Sequence, residues 1–344
     1  METPLVPTDL KGLASVPIVD EASIALARAH VREACGQAAL SKTETETLAT
    51  VTSELAWNQL VHAHGGDLFA RQVHRAGVVG VEVIAFDRGP GIAEPARALQ
   101  GNASARVGMG VGLAGARRLA DEIDFDIRLG EGTCIRARQF SGPVPFRSEV
   151  AILGRPFADE DVSGDDATFV RRGDDWILCV VDGLGHGELA REASARATAV
   201  VQQNPSGVDL EELLRECHSA LQGTRGAVMS LMRFERRSGV CEHLCVGDIG
   251  TQLTRYRESN RLSCRRGIVG LKDNSYASTR QADAVSIRSG DVVLAYSDGL
   301  KSALDISEDA ELLREHPLII AEHALTTYGR DSDDALVLLS LIHI

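Results

Sequence analysis

Two α/β domains in tandem are predicted for this chain, on three observations. Its 344 residues suit two domains of ordinary size. The run Ser141-Gly142-Pro143-Val144-Pro145 separates a half in which helix and strand signals alternate from a half dominated by apolar runs of strand length. In both halves carboxylates stand at the ends of those runs, where α/β proteins commonly meet their ligands. The division expected is residues 1–140, a linker at 141–147, and residues 148–344.

A content of 44% hydrophobic and 25% charged residues is ordinary for globular domains. The formal charge of −13 excludes nucleic acid as the expected partner, because phosphate backbones are met by Lys and Arg. No segment approaches the roughly 18 apolar residues of a membrane span. Met1-Glu2-Thr3-Pro4 lacks the basic and apolar parts of a secretion signal, so no membrane association and a cytoplasmic location are expected. Seven cysteines without close metal-type pairs read by default as reduced thiols. Cys241, His243 and Cys245 alternate, which puts all three on one face of a strand; metal ligation there is the rival to simple burial.

In the first half, Ser41-Lys42-Thr43-Glu44 fits a capping box, and Leu48, Val51 and Leu55 recur at helical spacing until Gly65-Gly66. That helix carries Glu54 and Asn58 four residues apart, on one face. Val78 to Phe86 is a Val-rich strand ending at Asp87, and Cys134 to Phe140 is another. Between them Gly108, Gly110 and Gly112 precede a helical stretch, Leu113 to Ala120. Glycines of this kind let backbone N–H groups approach a phosphate. No strand leads into them, which argues against a dinucleotide fold.

In the second half, Trp176 to Val181, Ala227 to Phe234, Val292 to Tyr296 and Ala335 to Ile342 read as strands. Asp182, Asp298 and Asp333-Asp334 adjoin the first, third and fourth, and Asp165 lies in Ser163-Gly164-Asp165-Asp166. Carboxylates gathered from strand ends suit divalent cations that activate water for phosphoester hydrolysis. No cysteine has an arginine six positions on, so a thiol nucleophile is disfavoured.

Taken in order, Ser53-Glu54-Leu55-Ala56, Asn58, Asp87-Arg88-Gly89-Pro90-Gly91-Ile92, the glycines at 108–112, Arg117-Arg118-Leu119 and Gly130-Glu131-Gly132-Thr133 resemble the GHKL (Bergerat) ATPases. Within them the likeness is to the RsbT-type switch serine kinases of stressosomes, over about residues 15–140. The resemblance implies an α/β sandwich that binds ATP and Mg²⁺. Asn58 would hold the ion and Asp87 would accept from the adenine amino group. Gly89, Gly91 and Thr133 would shape the base pocket, Gly108, Gly110 and Gly112 would form the lid, and Glu54 would be the catalytic base. Trp57 is bulkier than such a motif leads one to expect.

The second half, through Asp182-Gly183-Leu184-Gly185-His186-Gly187, Arg225-Gly226-Ala227, Val246-Gly247-Asp248, Ser297-Asp298-Gly299-Leu300 and Asp333-Asp334, resembles the SpoIIE/RsbX branch of PPM serine/threonine phosphatases. That implies an α-β-β-α sandwich with two Mn²⁺ or Mg²⁺ ions. Asp182 would bridge them, assisted by the Gly183 carbonyl, and Asp298, Asp333 and Asp165 would complete the set. His186 would be structural. Ala335-Leu336 stand where a Thr is usual after the final Asp pair. Together the two likenesses imply reversible phosphorylation of STAS-domain partners, with a sigma factor or downstream phosphatase as further candidates. The alternative is a nucleotide-binding partner module that controls a single phosphatase.

Overall fold

The computed structural model describes residues 10, 12–101, 112–145, 147–157, 160–172, 175–204, 208–235, 238–271 and 282–343. It divides into two compact units, Leu10–Ala151 and Ile152–Ile344. The boundary falls inside a strand rather than in the Ser141–Pro145 break. Among the described residues no helix is long and apolar enough to cross a membrane.

The first unit runs β1 (Ser15–Ile18), α1 (Glu21–Gln37), α2 (Lys42–His62), β2 (Gly66–Arg75), β3 (Val78–Asp87), α3 (Pro95–Gln100), α4 (Gly112–Leu119), β4 (Glu122–Arg128), β5 (Gly132–Phe140) and the start of β6 (Arg147–Arg155). Strand order is β1-β2-β3-β5-β4, then β6, and the pairs from β1 to β4 are antiparallel. The predicted capping box is present: Ser41 Oγ accepts from Glu44 N, and the Glu44 carboxylate accepts from Ser41 N. The helix closes at Ala63, and Gly66 already belongs to β2. Asp20 caps α1 in the same reciprocal way with Ser23.

Part of this sheet buries charge. Arg138 on β5, 2% exposed, meets Glu82 on β3 and Glu122 and Asp124 on β4. Arg75 makes a second contact to Glu122 at 2.8 Å. Burial alone would lift Glu82, but Arg138, Arg71 and Arg136 outweigh it and hold the carboxyl well below its usual range. Glu122 and Asp124 also accept from the backbone N–H of Ser148 and Val150, fixing the start of β6 beside β4.

The second unit contains the rest of β6, then β7 (Asp165–Arg172), β8 (Asp175–Gly183), α5 (Glu188–Gln203), α6 (Leu210–Ala220), β9 (Ala227–Glu235), β10 (Val240–Val246), β11 (Gly250–Arg255), β12 (Glu258–Arg261), β13 (Asp283–Ser286), β14 (Val292–Tyr296), α7 (Pro317–Tyr328) and β15 (Ala335–His343). One sheet has the order β13-β10-β9-β8-β7; the other runs from β6 through β15-β14-β11 to β12. Helices α5 and α6 pack on the first, and α7 packs on β15. Ile177, Cys179 and Val181 of β8 join the core under α5 and α6. By strand alternation Leu178, Val180 and Asp182 point from the other face of that sheet.

Candidate functional sites

In the first unit, a cavity of about 420 Å³ lies between α2 and the sheet, within the range of small-molecule sites. Asn58, Asp87, Gly91 and Thr133 all line it. The β3–β5 register sets Asp87 opposite Thr133, so the carboxylate at the end of β3 and the hydroxyl at the start of β5 share one end of the sheet. Asp87 Oδ1 accepts from Gly89 N at 2.9 Å. Burial raises the Asp87 carboxyl, and hydrogen bonds from the Gly89 and Thr133 backbone only partly offset this.

Glycine is required at two of the positions here. Gly91 has φ +76°, and a Cβ there would lie 2.8 Å from the Arg128 carbonyl oxygen. A Cβ on Gly89 would meet that of Ala63 at 2.5 Å. Asn58 Nδ2 is buried without a hydrogen-bond partner among the described residues, a donor available to a ligand. Glu54, 8% exposed, is differently engaged: its Oε2 accepts from Gly112 N at 2.9 Å, across the start of α4. Gly108 and Gly110 lie outside the described residues. Gln59 was missed by the sequence reading; its Nε2 donates to the carbonyls of Asp67 and Phe86 and pins α2 to the strand ends that frame the cavity.

In the second unit the carboxylates converge. Asp165 and Asp182 are direct partners in the β7–β8 register. Asp298 follows β14, Asp333 and Asp334 precede β15, and Asp248 lies in the turn from β10 to β11. Burial raises the Asp165 carboxyl well above its ordinary range, and the Asp182, Asp334 and Asp298 charges add to that, against a hydrogen bond from Ser297. Asp182 is pushed up to about 8, first by burial and then by Asp298, Asp248, Asp333 and Asp334. Asp298 rises too, through burial, Asp333 and Asp248, with Arg330 opposing.

Several of these groups are held by their neighbours. Asp334 spends both oxygens on backbone donors, Phe157 N at 2.7 Å and Gly164 N at 2.8 Å, so it clasps the segment leading into β7. His186 Nδ1 meets Glu160 Oε1 at 2.6 Å on the surface. Gly183 has no room for a side chain, since a Cβ would sit 2.1 Å from the Ala190 carbonyl oxygen. Ser297 Oγ accepts from Leu336 N at 3.0 Å and also serves Asp165. A cavity of about 410 Å³ opens beside Asp248 and Asp298, bordered by Arg261, Arg330, Thr251 and Ser302. Asp248, Ser297 and Arg330 were not assigned roles from the sequence, although Asp248 and Ser297 fall within the motifs.

The donor set fits divalent cations. Asp165 Oδ2 is buried with no partner among the described residues, and the mutually repelling carboxylates offer hard oxygen ligands.

The expectation of reduced thiols fails at one pair. Cys245 and Cys264 form a disulfide across 19 residues of sequence, because Arg265 N donates to the Cys245 carbonyl and draws that segment onto β10. Cys241 Sγ lies instead against the Glu242 carbonyl.

Residues 172–339 match the family Stage II sporulation protein E (SpoIIE). The chain is 34% identical to the serine/threonine-protein kinase RsbT of Bacillus subtilis (strain 168) over 122 residues, 36% of this chain and 92% of RsbT. It is 37% identical to the phosphoserine phosphatase RsbX of the same organism over 75 residues, 21% of this chain and 37% of RsbX. A solved structure from work on the bacterial stressosome, as a modular system adapted to control secondary messenger signalling, superposes with a TM-score of 0.51 at 29% identity. It covers 56% of this chain and 99% of that one.

Proposed function

Since this chain belongs to the family of the serine/threonine-protein kinase RsbT and carries a SpoIIE-type PPM phosphatase domain, we propose that it both adds and removes phosphate on STAS-domain regulatory proteins. The observation that carries the phosphatase half is the convergence of Asp165, Asp182, Asp298 and Asp333 with Asp248 at the strand ends. Asp182, Asp298, Asp333, Asp165 and the Gly183 carbonyl would hold two Mg²⁺ or Mn²⁺ ions. Such ions supply a hydroxide at neutral pH and offset charge on the phosphoryl oxygens. The chain's own part is to fix the carboxylates in place: Ser297 orients Asp165, Asp334 ties down the loop before β7, and Arg330 offers a cation at the cavity rim.

The kinase half rests on the cavity bordered by Asn58, Asp87, Gly91 and Thr133. There Asp87 would accept from the adenine amino group, Asn58 would hold Mg²⁺ against the phosphates of ATP, and Glu54 would take the proton of the incoming hydroxyl. One observation favours a second reading. The Glu54 carboxylate is bonded to Gly112 N, a structural task, which suits a nucleotide-binding module that engages its partner without phosphotransfer.

The test is incubation of the protein with ATP, Mg²⁺, Mn²⁺ and STAS-domain proteins of the same genome. Phosphoserine that accumulates with Asp182→Asn and turns over with wild type is the expected result. A pre-phosphorylated partner hydrolysed by wild type, with no phosphate transferred from ATP by either protein, would leave the binding-module reading.

A further inference from the structure

Among the described residues, a cluster of His and Cys side chains lies beside the cavity of the second unit but is distinct from its carboxylates. Leu244 and Val246 of β10 belong to the core under α5 and α6, so Cys241, His243 and Cys245 point from the opposite face of that sheet. At the end of β10 the chain comes back on itself. Gly247 N donates to the Arg265 carbonyl at 2.8 Å and Arg265 N to the Cys245 carbonyl at 3.1 Å, which sets Cys264 against Cys245. A ring nitrogen of His243 and the two sulfurs lie within 4.8 Å of one another.

The histidine is arranged as a ligand rather than as a filler. It is 1% exposed, and its Nε2 meets Ser230 Oγ at 3.1 Å, which in turn meets Thr251 Oγ1 at 3.0 Å. Nδ1 is buried with no hydrogen-bond partner among the described residues. Leaving such a nitrogen unpaired is unfavourable, and a bound cation would relieve it. Anchoring of the second nitrogen by a polar neighbour is how metal-binding imidazoles are held. Cys264 is only half-buried and borders the cavity that also contains Asp248 and Asp298, so the cluster has an entry path.

We propose that His243, Cys245 and Cys264 bind a thiophilic cation, Zn²⁺ in the first instance, when the two cysteines are reduced, and that formation of the Cys245–Cys264 disulfide expels it. Two thiolates and an imidazole are a soft donor set, unlike the all-oxygen carboxylate cluster, so the two sites select different ions. The redox step balances with a small-molecule disulfide as oxidant. Each thiolate gives one electron to form the S–S bond, the oxidant's S–S bond takes both electrons and two protons from solvent and leaves as two thiols, and Zn²⁺ departs with its charge unchanged.

Cobalt(II) is the probe, because thiolate ligation gives a near-ultraviolet charge-transfer absorption that carboxylate ligation does not. The full chain, reduced and freed of metal, is titrated with Co²⁺ and then with Zn²⁺. One equivalent of thiolate-bound Co²⁺ is expected, displaced by Zn²⁺, lost on treatment with oxidised glutathione and regained on reduction. Cys264→Ser, at the half-buried position, should abolish the absorption, whereas Cys241→Ala should leave it. Ser230→Ala should weaken cation binding roughly 10- to 100-fold. No charge-transfer absorption in the folded, reduced protein, or an absorption unchanged in folded Cys264→Ser, would overturn the proposal. Neither readout depends on kinase or phosphatase turnover.

Discussion

If the carboxylate cluster is a cation site, removing one of its charges should stabilise the metal-free protein. Asp182→Asn is the sharpest case, since its carboxyl is pushed from 3.8 up to about 8 by burial and by its acidic neighbours. Below its unfolded value this group is protonated in both states and contributes nothing. As pH rises past 3.8 the unfolded chain releases the proton first, so the metal-free fold loses stability until about pH 8 and stays at that lower level beyond. At 1.36 kcal/mol per pH unit the loss has an upper bound of about 6 kcal/mol. Solvent reaching the half-buried side chain and sharing of the proton among neighbours reduce it to a few kcal/mol.

Thermal unfolding in EDTA at about pH 5 and about pH 9 measures this, with Asp182→Asn expected to gain most on wild type at the higher pH. A few kcal/mol corresponds to roughly 5–10 °C in Tm for a unit of this size. Saturating Mn²⁺ should then reverse the order. Wild type gains about 2.7 kcal/mol at a concentration 100 times Kd, and the variant, without its bridging ligand, gains little. A metal-free Asp182→Asn protein no more stable than wild type at the higher pH would refute the mutual repulsion and with it the argument that these carboxylates await a cation.

Three further outcomes follow from the geometry. Asp87→Asn should weaken ATP binding roughly 10- to 100-fold, the worth of a hydrogen bond to a charged group, while phosphoserine hydrolysis is unchanged; calorimetry and a phosphate-release assay check the two halves. Arg138→Ala removes the cation shared by Glu82, Glu122 and Asp124, so a loss of about 3–5 kcal/mol in urea unfolding is expected, with a smaller loss for Arg71→Ala, whose side chain is partly exposed. Gly183→Ala forces a Cβ to 2.1 Å from the Ala190 carbonyl oxygen, and should cost about 1–3 kcal/mol and lower the Tm gain from Mn²⁺; an unaltered Mn²⁺ response would mean that the β8 end is not where the ion is held.

The elements that were legible in the sequence are those whose local chemistry and burial agree. The Ser41–Glu44 box, the Val-rich β3 and the apolar β15 are of this kind. β4 was not legible. Glu122-Ile123-Asp124-Phe125-Asp126 reads as a solvated alternating segment, yet Glu122 and Asp124 are buried because Arg138 on the next strand neutralises them. β2, which ends at Arg75, is obscured in the same way by a cation whose partner lies 47 residues away. At the candidate sites, Asp182, Asp298 and Asp333 stood out because each stands against an apolar run, and Asp165 through Ser163-Gly164-Asp165-Asp166. Asp248 sits in a turn, where aspartate is common for conformational reasons, so only its approach to Asp182 and Asp298 distinguishes it. Cys264 carries no sequence signal at all; its neighbour is set by two backbone hydrogen bonds at the end of β10.

The same residue type is used in two opposite ways along this chain, and the contrast separates architecture from function. In the first unit Glu82, Glu122 and Asp124 are buried beside Arg138, with Arg75 and Arg71 adding cations, and Glu82 is held ionised far below its usual range. Such a group gains nothing from a further ligand, so these carboxylates are structural despite their burial. In the second unit the buried Asp165 and the half-buried Asp182 face other acids, Arg330 opposes at Asp298, and the carboxyls are driven upward instead. A fold bears that repulsion when something outside the chain relieves it. It is the direction of the perturbation, not burial or acidity alone, on which the proposed cation site at the strand ends of the second unit rests, and the sheet of the first unit lacks that direction at Glu82.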